Sequence, residues 1–170
     1  AGRAGRVAAG RCYRLWSEGS QRSLAAFSRA EILDADLTPL ALDLAEWGAA
    51  TEHGLRWLDA PPAATLDGAR DLLRRLGAID DAGRLTPHGR ALARLPAHPR
   101  LAHLLIEANA RGTAALGAKL AALLAERDLL RGRGTSDDVD ILTRLDLLDG
   151  GRARSEVDRG ALERVRRMTQ

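Results

Sequence analysis

The sequence predicts a mainly α-helical chain: a terminal strand, then helices interrupted by one small β-hairpin, then a helical bundle. Three observations carry this. Hydrophobic residues make up 45% of the 170 residues but aromatics only 3%, so a core must be built from Leu and Ala, which favours packed helices over a sandwich. Apolar residues recur at helical spacing in several separate stretches. Thr-Pro pairs and single glycines mark where those stretches start and stop.

The first element is "GRCYRLWS" (10–17), which alternates as a strand, with Tyr13 and Leu15 on one face and Cys12, Arg14 and Trp16 on the other. Residues 17–36 read as a polar connector. "LTPLALDLAEWG" starts a helix with Thr38 as N-cap and Pro39 as first residue; Leu40, Leu44 and Trp47 form its stripe and Gly48 its stop. "LRWLD" (55–59) is a short extended stretch. "APPAATLDGARDLLRRLGAI" gives a second helix, with Leu66, Ala69, Leu73 and Leu76 on one side and Gly77 ending it. "IDDAGRLT" is a tight hairpin in which Ile79 and Leu85 flank a turn with Asp81 and Gly83. Thr86–Pro87 repeats the cap signal and opens a third helix ending near Leu95–Pro96. This order of helix, helix, hairpin, helix resembles a winged-helix arrangement with the hairpin as the wing.

After "LPAHPRL" the pattern becomes purely helical. Leu101, Leu104, Leu105 and Ala108 mark one helix, and Leu116, Leu120, Leu123 and Leu124 a second. Ile141, Leu145 and Leu148 mark a third, capped by Ser136 with Asp137 and Asp138 at its N-terminal dipole. Leu162, Val165 and Met168 begin a fourth. "RGRGTSDD" (131–138) is a mobile loop. The expected domains are 1–29, 30–96 as a winged-helix-like domain, and 97–170 as an incomplete helical bundle.

Charge is unevenly placed. Residues 1–29 carry a net +5, residues 30–150 a net −5 and residues 151–170 a net +3. The middle is not a broad cationic surface, so it cannot hold nucleic acid strongly by phosphate neutralisation alone. Of the 26 basic residues only Lys119 is not Arg. A single cysteine excludes an internal disulfide and points to the cytoplasm. No apolar run approaches ~18 residues, so no membrane span or membrane partner is expected. The first residue is not Met, as in a fragment or excised domain.

The opening "AGRAGRVAAGR" (1–11) is the sharpest signal. Arg3 and Arg6 lie three apart among glycines that let backbone approach a ligand. Two guanidiniums aimed at one point suit a polyphosphate, since each offers a planar fork of donors. "AGRAGRVAAGRCYRLWSE" resembles the tail of the arginine motif QRxGRxGR of superfamily-two DEAH-type helicases, with the next strand of their second RecA-like domain. "LTPLALDLAEWG", the stretch from "LRWLDAPPAATL" to "HPRLAHLL", and "LAALLAERDLL" resemble that family's winged-helix and ratchet-like regions. The likeness covers roughly residues 1–130; residues 131–170 match in character only.

That resemblance implies the following. Residues 1–29 are the C-terminal end of a RecA-like α/β domain, and 97–170 are ratchet-like. Arg3 and Arg6 match the motif's last two arginines, which contact the γ-phosphate of ATP across the cleft between the RecA-like domains. Gly2 and Gly5 are the cofactor-side glycines that allow the turn. The parent would use ATP and Mg²⁺, would need the RecA-like helicase core that the chain lacks, and would move along single-stranded RNA, or DNA. The chain alone, without a phosphate loop or Mg²⁺-binding acids, would be inactive.

Other stretches have a structural reading beside the functional one. In "LPAHPRL" Pro96 and Pro99 fix the junction; the family likeness places Arg100 near the nucleic-acid channel, the alternative being a surface ion pair or cap. "GTAALGAK" (112–119) almost spells a phosphate-binding loop, but its Lys is one residue late and Leu120 follows, so it reads as helix. His53, His88, His98 and His103 are scattered, and His98 and His103 are five apart, so no metal site is expected. Arg70, Arg74 and Arg75 lie off an apolar stripe with Asp67 and Asp71 beside them, as on a solvated face. "RGRG" (131–134) reads as a linker and Cys12 as a packed thiol. The alternatives to a helicase segment are a free-standing winged-helix nucleic-acid-binding module and a protein-interaction scaffold.

Overall fold

The computed structural model describes residues 5–25, 27–48, 55–131, 139–152 and 156–169. Its helices are α1 (Glu18–Ser23), α2 (Thr38–Glu46), α3 (Ala63–Arg75), α4 (Pro87–Ala93), α5 (Pro99–Ala110), α6 (Ala114–Ala125), α7 (Ile141–Leu148) and α8 (Arg159–Met168). Two-residue strands β1 (Leu130–Arg131) and β2 (Glu156–Val157) pair antiparallel, with Leu130 opposite Val157. The chain is mainly helical, as its composition implies. No helix among the described residues is long and apolar enough to cross a membrane.

The first core forms where α2, α3, the hairpin and α4 meet. Leu37, Ala41 and Leu44, at helical spacing, bury against Leu66, Ala69 and Leu73 of α3, and against Ile79 and Leu92. Leu66, Leu73 and Leu92 are fully buried, each contributing about 1.5–3 kcal/mol. The hairpin has a single bridge, Ile79 to Leu85, closed by Gly83 N–H donating to Asp80 O at 2.9 Å. Gly83 adopts φ 77°, a conformation L side chains resist, and Asp80 Oδ1 accepts from Arg84 N at 2.8 Å. Thr86 caps α4 as expected: its hydroxyl accepts from Gly89 N at 2.9 Å and donates to Gly77 O at 2.6 Å. That one side chain ties the end of α3 to the start of α4.

The second core joins α6, α7, α8 and the β pair: Ala122, Leu123, Leu129, Ala161 and Val165, with Ile141, Leu145, Leu148 and Leu162 packed on them. Arg144, with its side chain only 9% exposed, is held there by Asp128 through two bonds of 3.1 and 2.7 Å and by Asp140 O at 3.1 Å. Helix α5 belongs to both halves. Ala102 is part of the first core, while Ala108 meets α6 where Gly117 has no side chain; a Cβ on Gly117 would overlap that of Ala108.

Several local expectations are corrected. Residues 10–16 form no strand: all are exposed and have no ladder partner among the described residues, and alternation makes a strand only when a neighbour supplies the ladder. Cys12 is accordingly exposed rather than packed. The connector contains a short helix, α1, capped by Ser17 accepting from Ser20 N at 3.1 Å. Thr38 is the first residue of α2 rather than its cap, because the Asp36 carboxylate is the stronger acceptor and takes both Thr38 N–H (2.8 Å) and hydroxyl (2.6 Å). Trp47 lies past the end of α2 and is 73% exposed. Residues 55–59 have no regular structure; Trp57 packs on the first core and Leu58 is fully exposed. Asp140, not Ser136, caps α7; Ser136, Asp137, Asp138 and most of the expected 131–138 loop lie outside the described residues. Leu116 and Leu124 are exposed; Leu123 is buried as expected, beside Gly117, Ala121 and Ala122.

Candidate functional site

Two places hold the residues singled out in the sequence. The first is the N-terminal arginine segment. Arg3 and Gly2 lie outside the described residues. Arg6 sits in an exposed bend and has no hydrogen-bond or ion-pair partner among the described residues, so its guanidinium is free to donate. Gly5 does not take a left-handed conformation, and a Cβ there would meet nothing within 4 Å. Neither the backbone conformation nor a contact at this position therefore requires glycine.

The second is the junction between α4 and α5. Pro96 and Pro99 bracket His98, which caps α5 with its ring: Nδ1 accepts from Arg100 N at 3.2 Å. An accepting Nδ1 carries no hydrogen, so Nε2 must, and it donates to Asp36 Oδ2 at 3.1 Å. Asp36 thus spans two helix starts, taking Thr38 of α2 on one oxygen and His98 of α5 on the other. The Thr38 hydroxyl, more than any other neighbour, holds the Asp36 carboxyl below the usual carboxylate range; burial opposes it, and Thr38 N–H and His98 add to it.

This network sits at the edge of a groove of about 1170 Å³. Leu101, Leu104 and Leu105 of α5, Leu124 of α6 and Met168 of α8 line it. The α5 leucines expected in a core therefore face an open groove, half-buried. Arg100 stands on its lining, exposed, with a guanidinium that has no partner among the described residues. The arrangement is an apolar surface with, on its lining among the described residues, one cation lacking a partner, at the start of α5. Such a surface offers apolar contact and one guanidinium for an anionic group such as a phosphate.

The remaining candidates resolve as structure. "GTAALGAK" is helical from Ala114, with Gly112 at φ 72° separating α5 from α6. Arg70 and Arg74 pair with Asp67 (3.3 Å) and Asp71 (2.6 Å), which leaves Arg75 as the excess charge on that side of α3. Sequence reasoning missed one pair: His88 on α4 and His103 on α5, whose Nε2 and Nδ1 approach to 2.9 Å. Fifteen residues separate them, so only the packing of α4 on α5 reveals it.

Against known proteins, residues 69–97 match the helicase-associated domain (HA2), winged-helix. That span covers the end of α3, the hairpin and α4. The chain is 40% identical over 126 residues, 74% of its length, to the ATP-dependent RNA helicase HrpB of Escherichia coli (strain K12), and 39% identical over 106 residues to the pre-mRNA-splicing factor ATP-dependent RNA helicase prp22 of Schizosaccharomyces pombe. It spans 16% of the first protein's length and 9% of the second's. The crystal structure of the Escherichia coli DEAH/RHA helicase HrpB overlays 99% of the chain, 19% of that protein's chain, with a TM-score of 0.66 and 33% identity.

Proposed function

The chain belongs to the DEAH-type helicases, and from this we propose that it is the part of an ATP-dependent RNA helicase running from the end of the second RecA-like domain (1–29) through a winged-helix-like domain (30–96) into a ratchet-like helical domain (97–170). The observation that carries the reading is the 40% identity to HrpB of Escherichia coli over 126 residues, 74% of the chain. The winged-helix reading of the hairpin and its flanking helices rests on the same ground as the match over 69–97.

In this reading each site does half of a task. Arg6, with Arg3, reaches the γ-phosphate of a nucleotide bound elsewhere in the protein; an arginine placed this way is worth ~10³–10⁵ in rate for phosphoryl transfer. The free Arg6 guanidinium fits that role. In this reading the chain lends a cation to a nucleotide and Mg²⁺ held by the rest of the protein. Bound ATP supplies the phosphoryl group that is hydrolysed. Arg100 meets one phosphate of a single strand, RNA or DNA, while Asp36 and His98 keep the start of α5 where Arg100 can reach it.

The test is RNA-stimulated ATP turnover of the whole protein beside that of the 170-residue chain. The whole protein turns over ATP and the chain does not. Turnover by the pure chain, or none by the whole protein with RNA present, refutes the assignment.

A further inference from the structure

We propose that His88 and His103 form a site for a divalent metal ion of the zinc, nickel or copper class, which staples α4 to α5. His88 is the second residue of α4 and His103 the fifth of α5. Their facing nitrogens are 2.9 Å apart, and the rings stand perpendicular with centroids 5.1 Å apart. Two imidazole nitrogens on one tetrahedral ion, at metal–nitrogen bonds of about 2.0–2.1 Å, lie about 3.3 Å apart. Admitting an ion therefore widens the nitrogen separation by less than half an ångström, with each ring turning so that its lone pair meets the ion off the line that joins the two nitrogens.

The protons balance without a further reactant. The contact holds one N–H between the two nitrogens. Neither His88 Nδ1 nor His103 Nε2 has a partner among the described residues, so the donor ring moves its hydrogen to its own far nitrogen. Both rings stay neutral and both near lone pairs face the ion. The two side chains are half-buried, which leaves a path for the ion and room for water. Among the described residues no third His, Cys, Asp or Glu joins them. Water therefore completes the coordination and the ion exchanges, unlike a closed four-ligand site. An all-imidazole protein ligand set selects borderline metals over Mg²⁺ and Ca²⁺, which take oxygen.

The consequence is mechanical. Helix α4 ends the winged-helix part and α5 starts the bundle, so an ion here stiffens the joint beside Arg100. The inference stands independently of the helicase reading, since the chain alone is enough to test it.

The exposed Cys12 is itself a metal ligand, so the test uses the full 170-residue chain carrying Cys12→Ser. ZnCl₂ at about 100 times its Kd raises the unfolding midpoint by about 5–10 °C. His88→Asn and His103→Asn each abolish the rise. On the chain with both histidines intact, Zn²⁺ shifts the imidazole NMR signals of His88 and His103, so the test stands where a variant does not fold. No midpoint rise with zinc, nickel or copper, a rise that survives in both variants, or perturbation of other histidines in place of these two overturns the proposal.

Discussion

Gly89→Ala and Gly68→Ala are the same chemical change with opposite expected signs. Alanine in place of glycine inside a helix favours folding by about 0.5–1 kcal/mol. At Gly68, exposed in α3, a new Cβ meets nothing within 4 Å, so that gain stands alone. At Gly89, the third residue of α4, the Cβ would overlap the Ala78 carbonyl oxygen and lie 2.8 Å from Leu85 Cδ1 and 2.9 Å from the Ala78 carbonyl carbon. Ala78 is backbone and cannot swing aside. Its oxygen also accepts Thr86 N at 3.0 Å, and Gly89 N donates to Thr86 Oγ1 at 2.9 Å. Relief requires α4 to move off the hairpin and stretch the cap. Overpacking costs about 1–3 kcal/mol and a strained hydrogen bond about 1 more, against at most about 1 gained. Gly89→Ala is therefore destabilising by about 1–3 kcal/mol. Urea unfolding of the 170-residue chain reads both variants as midpoint shifts at unchanged slope. A Gly89→Ala chain at least as stable as the parent refutes the close approach of α4 to the hairpin.

Asp128→Asn removes the carboxylate charge that faces the buried Arg144 and costs about 1–3 kcal/mol in the same assay, less than breaking a fully buried pair because water reaches the half-exposed Asp128 and Asp140 O still accepts from Arg144. Asp36 and Asp128 are held below the usual carboxylate range, by the Thr38 hydroxyl and by the Arg144 hydrogen bonds respectively. Their folded-state pKa values lie below the unfolded ones, so their stabilisation is fully present above about pH 4 and is lost as pH falls through the folded values. The urea midpoint should fall on acidification below that point, and combining Asp36→Asn with Asp128→Asn should flatten the fall. Arg100→Ala in the whole protein should weaken single-strand binding without sequence preference and lower the salt dependence of log K by about one phosphate contact; an unchanged salt slope removes Arg100 from the interface.

Much of the fold was legible because its signals are local. Thr86–Pro87 before an apolar stripe, and Gly77 and Gly83 with φ of 68° and 77°, each mark a backbone event that short sequence specifies. The Leu66, Ala69, Leu73 stripe buried as its spacing required. The misses share a different cause. Thr38 lost the capping role to a better acceptor two residues upstream, and Leu101, Leu104 and Leu105 follow a helical period but face a groove. Period reports which side is apolar, not what covers it. The pairing of β1 with β2 and the meeting of His88 with His103 join residues far apart in sequence, which no window of local spacing contains. At the candidate site, the two prolines marked the α4–α5 junction and the family resemblance singled out Arg100 there, while the Asp36–His98 bridge, 62 residues long in sequence, was not legible.

Single-turnover ATP cleavage by the whole protein carrying Arg6→Ala, with nucleotide affinity measured beside it, tests the proposed contact of Arg6 with the nucleotide. The account predicts a fall of about 10³-fold or more in the cleavage rate with a much smaller change in affinity, as for a group that acts on the transition state. A cleavage rate within a fewfold of the unsubstituted protein would contradict it.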